Sequence, residues 1–515
     1  MSKQGEHGIA WTDVTWNPVR GCSRVSEGCR NCYAERMATR FSGPGQPYEG
    51  LVTVPAGGRH GESGRARTGI RGKWNGVVRL IPERLADPLH WRRPRKVFVN
   101  SMSDLFHESL SNEQIAAVFG VMAAAPQHTF QVLTKRANRM LAWFQTVGIL
   151  DLVEEFKHIA LAGRIVEYFA PERTVDLKQW PGYAVTSKGR VLSTKRGTEH
   201  EMAVMCGEHG HGRVMLYRDG ETDRPLVHRL VLEAFDREPK PGEQGRHISG
   251  DATNNALWNL CWGTQSENWD DSRRHGTRRR YSKLSAEQVD EVRRLGEAGV
   301  SGADLGRNFG ISDTQARNIV NGKQWVPEHK LEWPLASVWL GASVEDQATA
   351  DERIPLLLKT PATVRWVSYE PALGPVDFSR WLIRECLDCL GSGEGEGAAC
   401  EECGGSGTRP RVQWLVCGGE SGPGARPFDV AWARSLIEQC KATGARAFIK
   451  QVGSFAVDSQ WRTGTYAPDD KRTKAASAAL EQREGDTPPN LLLLGKKGGD
   501  PATWPTDLSV REFPR

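Results

Sequence analysis

Three groups of residues in this chain have the types and spacing to do chemistry. Near the start, "GCSRVSEGCRNCYAER" sets thiols at Cys22, Cys29 and Cys32, a Cys-x6-Cys-x2-Cys spacing. Three thiolates can hold three irons of a [4Fe–4S] cluster and leave the fourth open. A zinc site or three unliganded thiols are the rival readings; the aromatic Tyr33 that follows and the strand–helix context favour iron–sulfur. Farther on, "CLDC" and "CEEC" place Cys386, Cys389, Cys400 and Cys403 as two Cys-x2-Cys pairs, the spacing of a tetrahedral structural zinc. Between these groups, "RHISGDATNNALWNLCWGTQSENWD" (246–270) combines an imidazole, His247, with the carboxamides of Asn254, Asn255, Asn259 and Asn268. An imidazole titrates near neutrality and can take a proton from water, and a hard cation on oxygen ligands can stabilise a leaving oxyanion.

The elements that must position these groups follow two grammars. In the flanks, short apolar runs read as strands: 96–104, 129–136, 337–345, 363–371, 412–421 and 446–453. Helical patterns at 112–125, 345–358 and 429–444 lie between several of them, and such alternation implies parallel strands in an α/β sheet or barrel. Each run ends in polar residues, among them Ser103, Asp104, Lys135, Glu345, Glu370, Glu420 and Lys450. Carboxyl ends of parallel strands line active sites, so the set marks the flanks as one enzyme-like domain. From about 176 to 326 the pattern turns to short strands with glycine turns and then to short helices. One protein inserted into another accounts for both grammars.

The helices of the insert read as a helix–turn–helix over 284–326. Val289, Val292 and Leu295 space one apolar face, Leu305 and Phe309 a second, and Ala316, Ile319 and Val320 a third. The third helix would present Thr314, Gln315, Arg317 and Asn318 to a DNA groove. The upstream arginines, Arg278, Arg279 and Arg280 among them, would meet phosphates.

Three resemblances sharpen this. "QWPGYAVTSKGRVLS" (179–193), through Gly182, Tyr183, Val185, Gly189, Arg190, Val191 and Ser193, resembles the NUMOD-type DNA-binding motif of homing endonucleases. "VHRLVLEAF" (227–235) with residues 246–270 resembles HNH endonucleases of the phage homing type. That resemblance implies His247 as general base, Asn268 as ligand for a divalent metal (Mg or Mn), Asn259 as the holder of the loop, and His228 in the supporting strand–helix turn. Some relatives carry a metal-binding carboxylate just before the base, where this chain has Arg246. The flanks, through "WTDVTWNPVRGCSRVSEGCRNCYAERMATRF" (11–41), "VFVNSMSDLFH", "VSYEPALGPVD" and "GGESGPGARP", resemble a phage and prophage family described as radical-SAM-like with a three-cysteine motif. It implies an iron–sulfur cluster on Cys22, Cys29 and Cys32, with Glu420 of "GGE" toward the amino group of S-adenosylmethionine. What partner protein belongs with a three-cysteine host is not written in the sequence.

The expected architecture is therefore an α/β host with a parallel, partial TIM-type barrel, interrupted by an α+β ββα-metal nuclease and a helical module. Its segments are 1–175 (host), 176–200 (NUMOD-like), 201–276 (HNH), 284–326 (helix–turn–helix) and 327–515 (host, with a zinc knuckle at 386–403). The expected function is cleavage of double-stranded DNA by the insert. The alternative is an insert that only docks DNA, the main activity being an iron–sulfur and S-adenosylmethionine reaction of the host. An intein is excluded, because neither junction offers a Cys or an Asn followed by a nucleophile. The bulk properties agree: 515 residues are too many for one core, 38% hydrophobic and 25% charged residues are those of a globular protein, and a net charge of +5 is mild. No apolar run approaches the roughly 20 residues of a membrane span, and the first residues lack a signal-peptide core, so the expected compartment is the cytoplasm. There, clustered cysteines among the eleven suggest metal more than disulfides.

Overall fold

The computed structural model describes residues 9–55, 71–195, 197–207, 210–274, 284, 286–321, 331–385, 394–395, 398–399, 408–422, 424–458, 490–492, 501, 504 and 506–514. In chain order, the first segment holds β1 (Val14–Trp16), α1 (Tyr33–Arg40), β2 (Lys96–Val99), α2 (Asn112–Ala124), β3 (Thr129–Thr134), α3 (Ala137–Phe144), α4 (Ile149–Leu161) and α5 (Ile165–Phe169). The middle segment holds β4 (Thr174–Asp176), β5 (Tyr183–Thr186), β6 (Val191–Ser193), β7 (His200–Glu201), β8 (Met205–Cys206), β9 (Gly212–Arg213), α6 (Val227–Phe235), β10 (Glu243–His247), β11 (Leu260–Thr264) and α7 (Gln265–Arg274). Three helices follow: α8 (Ala286–Glu297), α9 (Gly302–Phe309) and α10 (Asp313–Val320). The last segment holds β12 (Val338–Val344), α11 (Gln347–Lys359), β13 (Val364–Tyr369), β14 (Trp414–Gly418), α12 (Val430–Thr443) and β15 (Arg446–Gln451). These divide into two compact units, one of residues 1–152 and 333–515, the other of 153–332.

The first unit is built on a curled, half-barrel sheet of seven strands in the order β1-β2-β3-β12-β13-β14-β15. Every neighbouring pair is parallel. Parallel strands are covered on both faces and so read as unbroken apolar runs, which is why six of the seven were legible in the sequence. β1 was not, because three residues, Val-Thr-Trp, carry no periodic signal. The helices between strands are fixed by their ends: Ser111 and Gln114 form a capping box on α2, as do Asp346 and Thr349 on α11. One face of the sheet is filled by indoles and phenyls, Trp11, Phe98, Trp366, Trp414 and Phe448, packed with edge-to-face geometry. Gly341 on β12 lies opposite Trp366 on β13, and a Cβ there would meet the indole at 2.5 Å. The glycine is what lets a tryptophan fit at the centre of the sheet.

The second unit is antiparallel where the first is parallel. β4 to β7 form a four-stranded sheet, and the β5–β6 hairpin turns through Gly189 in the left-handed region at φ 84°. Its core joins Trp180, Tyr183, Val185 and Val191 to Leu230 and Val231 of α6 and to Leu257, Leu260 and Trp262. β10 and β11 form a two-stranded antiparallel ribbon. The helices α8, α9 and α10 share a separate small core of Val289, Val292, Leu305, Ala316 and Ile319, with Ser301 and Ser312 capping α9 and α10.

Four expectations fall outside the described residues: the zinc pairs Cys386, Cys389, Cys400 and Cys403, and Arg278, Arg279 and Arg280 as phosphate contacts, together with parts of segments 284–326 and 386–403. Among the described residues, no helix is long and apolar enough to cross a membrane.

Replacing Gly341 with Val drives two methyl groups into the Trp366 ring. The expected result is a loss of about 1–3 kcal/mol or more of stability, read as a lower midpoint in urea unfolding of the full chain.

Candidate functional site

The ribbon of the second unit ends in a loop that Asn259 holds. Asn259 is fully buried. Its Oδ1 accepts from the Ser249 amide at 2.8 Å, and its Nδ2 donates to the Asn254 carbonyl at 2.8 Å. The Ile248 amide donates back to the Asn259 carbonyl at 2.7 Å. Asp251 closes the tip by accepting from the amide and hydroxyl of Thr253. Here the carboxamides do structural work, because one buried amide satisfies several backbone groups that the turn leaves unpaired. The loop also leans on the β5–β6 hairpin, where the Leu257 amide donates to the Ser187 carbonyl at 2.9 Å.

His247 is the last residue of β10 and is buried. Its Nε2 lies 3.3 Å from Asn255 Oδ1, and Asn255 Nδ2 is committed to the Thr253 carbonyl. That orientation makes Nε2–H the donor and leaves Nδ1 with the lone pair of the neutral ring. His228 from α6 and His211, just before β9, stand against it, with ring centroids 5.1 to 5.4 Å apart. Burial pushes the His247 pKa down to about 4, and neighbouring His211 adds to this while the Asn255 bond opposes it. Burial pushes His228 to about 3, with the charges of His247, His211, Arg229 and Arg213 acting in the same direction. Gly245 makes room, since a Cβ there would lie 2.7 Å from the His228 ring.

Side chains alternate along a strand, so Gln244 and Arg246 face the other side of the ribbon. There α7 packs. Arg246 Nε and Nη2 each lie 2.8 Å from the buried Asp271 carboxylate, and Nη1 lies 3.5 Å from Glu267. Asn268 donates to Gln244 Oε1 at 2.9 Å. His228 and His247 are therefore brought together, whereas Asn268 stands across the ribbon from His247. This donor set fits a hard divalent cation poorly: the two carboxylates beside Asn268 already neutralise a guanidinium, which leaves the Asn268 Oδ1 as the side-chain oxygen on offer.

On α10, Thr314 and Arg317 are exposed and Gln315 and Asn318 half-buried; Arg317 is paired with Asp313 at 2.6 Å.

In the first unit, the strand-end residues meet in ion pairs. Lys135 and the buried Arg353 both bind Glu345. Lys450 binds Glu370 at 2.7 Å, and Arg426 binds Glu420. The cysteine loop is tied to these carboxylates, since Ser26 donates to Glu345 at 3.2 Å and Asn31 to Glu420 at 2.9 Å. Ser103 donates to the Val19 carbonyl, and Asp104 accepts from Thr134 and pairs with Arg136. Arg136 also reaches to 3.9 Å from Cys22 Sγ. Burial, then the Asp104 charge, pushes the Cys22 thiol up to about 12. Among the described residues, the three-donor group of His, Cys, Asp or Glu whose ligand atoms all lie within 4.8 Å is His211, His228 and His247. Cys22, Cys29 and Cys32 do not close that tightly.

A family described as a protein of unknown function, DUF5131, matches residues 6–194 and 307–489. The chain belongs to the DUF5131 family. The unmatched stretch between those segments contains His211, His228, His247 and Asn268. Over 121 residues this DUF5131 protein is 32% identical to DNA endonuclease I-HmuI of Bacillus phage SP01, a match that covers 23% of this chain. It spans 66% of the endonuclease, just under two thirds of its length. A solved structure titled "DNA binding and cleavage by the HNH homing endonuclease I-HmuI" is 22% identical, with a TM-score of 0.20, over 30% of this chain and 91% of that one.

Sequence reasoning missed His211 and the counter-charges Arg353, Arg136 and Arg426. His211 sits among short strands whose pattern has no period to mark it. Arg136 reaches Asp104 from 32 residues away, and Arg353 and Arg426, though within eight residues of their partners, stand at spacings that no periodic pattern marks.

Two outcomes are expected of this DUF5131 protein. Replacing Asn259 with Ala strands the Ser249 amide and the Asn254 carbonyl, and should cost about 2–4 kcal/mol in denaturant unfolding of the second unit. The second concerns pH. A histidine with a depressed folded pKa binds fewer protons than the unfolded chain, so its stabilising contribution is full above about 6.5 and is lost as pH falls toward the folded value. In chelator-treated protein, the second unit should melt at progressively lower temperature between pH 6.5 and 4, and His228→Asn should flatten that dependence.

Proposed function

We propose that the second unit of this chain is an HNH-type DNA endonuclease carried within a DUF5131 host, with α8 to α10 serving as a helix–turn–helix that docks double-stranded DNA. The observation that carries the reading is the Asn259-held loop with a buried, neutral imidazole, His247, at the end of its ribbon. The 32% identity to a DNA endonuclease over 121 residues supports it.

In this reading His247 is the general base. Burial lowers its pKa, so near neutral pH the ring is unprotonated and has a lone pair to offer. A phosphate beside it raises its proton affinity, because a nearby negative charge favours the imidazolium. Water gives its proton to the ring while its oxygen bonds to phosphorus. The phosphorus–oxygen ester bond on the opposite side breaks, and the leaving oxygen takes a proton from solvent. Exposed Thr314 and Arg317, with Gln315 and Asn318, are the groove-facing candidates on α10.

A second reading is favoured by Arg246. A guanidinium neutralised by Asp271 and Glu267 occupies the side where relatives carry a metal ligand, and a site without that free carboxylate suits docking without cutting. For the first unit, the finer reading is an iron–sulfur site on Cys22, Cys29 and Cys32, supported by the network of Glu345, Glu370 and Glu420 beside the cysteine loop. The visible absorption of anaerobically purified protein tests it.

Supercoiled plasmid incubated with the full chain, in Mg²⁺, in Mn²⁺ and in chelator, separates the two readings of the second unit. Cleavage that falls by about 10²–10⁴ in His247→Ala is expected for the nuclease. DNA shifted in a gel but left uncut under all three conditions would overturn cleavage and leave docking.

A further inference from the structure

The group of three imidazoles is more than the nuclease reading needs. A general base uses one histidine, and the supporting turn a second. A third imidazole, His211, is used by neither role, yet its ligand nitrogen lies within 4.8 Å of those of His228 and His247. Burial keeps His228 and His247 neutral, and neutral imidazole is the commonest metal ligand in proteins. His228 is 5% exposed, and its Nδ1 is buried with no hydrogen-bond partner. A buried polar nitrogen left unpaired costs about 1–3 kcal/mol unless a ligand supplies the partner.

The backbone around the group is cut away to admit it. A Cβ at Gly245 would strike the His228 ring at 2.7 Å, and one at Gly212 would strike Val204 at 2.6 Å and approach Asn255 at 3.3 Å. Glycine at these two places lets the ribbon and the β8–β9 hairpin bring their histidines against α6. The other face of the ribbon offers a hard cation no free carboxylate, so the two faces differ in kind.

We propose that His211, His228 and His247 form a site for a zinc-class transition-metal ion, held by three imidazole nitrogens with a fourth position left to water or another oxygen ligand. Three nitrogens without carboxylate select a borderline ion such as Zn²⁺ or Co²⁺ over Mg²⁺. A tetrahedral ion with Zn–N bonds of about 2.0–2.1 Å needs its nitrogens about 3.3 Å apart, so nitrogens now within 4.8 Å of one another close in by up to about 1.5 Å on binding. A metal on His247 also withdraws it from proton transfer, so Zn²⁺ would inhibit cleavage; that consequence rests on the nuclease reading, while the binding does not.

The test uses the full chain, stripped with chelator, kept reduced and titrated with Co²⁺. The expected result is that His211→Ala and His211→Gln each bind one equivalent fewer than the parent, or bind it at least tenfold more weakly. The parent-minus-variant spectrum should show visible d–d bands without a thiolate-to-cobalt band, and Zn²⁺ should abolish them. A measurement on the parent alone stands beside this: proton NMR of the cobalt form should show three hyperfine-shifted, exchangeable imidazole N–H resonances. Fewer than three such resonances, or equal cobalt stoichiometry in parent and folded variants, would overturn the site. Because the probe is the metal alone, a failed DNA-cleavage assay leaves this result unaffected, and the reverse also holds.

Discussion

The backbone ladder between β3 and β12 is the constraint on which the first unit depends. Phe130 to Thr134 pair in register with Val338 to Ala342, and this joins the two flanks into one sheet. Everything at the strand ends follows from that register. It sets Lys135, one residue past β3, beside Glu345, one residue past β12. The next ladder, β12 against β13, sets Gly341 against Trp366, and so decides where the aromatic layer can fill. A slip of one residue would turn both sets to the wrong face.

The second unit obeys a different rule, the alternation of a two-stranded ribbon. Arg246 and His247 are adjacent in sequence and face opposite ways. One side is ionic, with a guanidinium between carboxylates under α7. The other is a desolvated group of imidazoles under α6. Neutral histidines tolerate burial because they shed their charge, whereas arginine keeps its charge and must be given anions. The two chemistries can therefore sit one residue apart without interfering.

Much of this was legible in the sequence, and the failures have physical reasons. Buried parallel strands announced themselves as apolar runs, and the helices of the middle segment by their spaced apolar faces. The strand at Val14–Trp16 is defined by its partner β2 more than by its own composition. Glu345, Glu370, Lys135 and Lys450 could be picked out as strand-end residues, but which of them pair could not, because pairing across a sheet depends on tertiary register. His228 and His247 were found through a likeness to known enzymes, and the structure places their rings together. Asn268 was found the same way, yet it faces Gln244. Position in a motif fixed its place on the helix, and the arginine at 246 changed what it meets there.

The β3–β12 register also bears on how such a chain could arise. Parallel neighbours need a crossover of a dozen or more residues in any case, and α3 begins one. Lengthening a structureless crossover from roughly two dozen residues to about two hundred adds only about 2 kcal/mol of chain-closure entropy, since that cost grows with the logarithm of length. The ladder itself is untouched by what lies between its strands. A gene that acquires a whole folded unit at this point asks little more of its host than a longer thread between two strands that already pair.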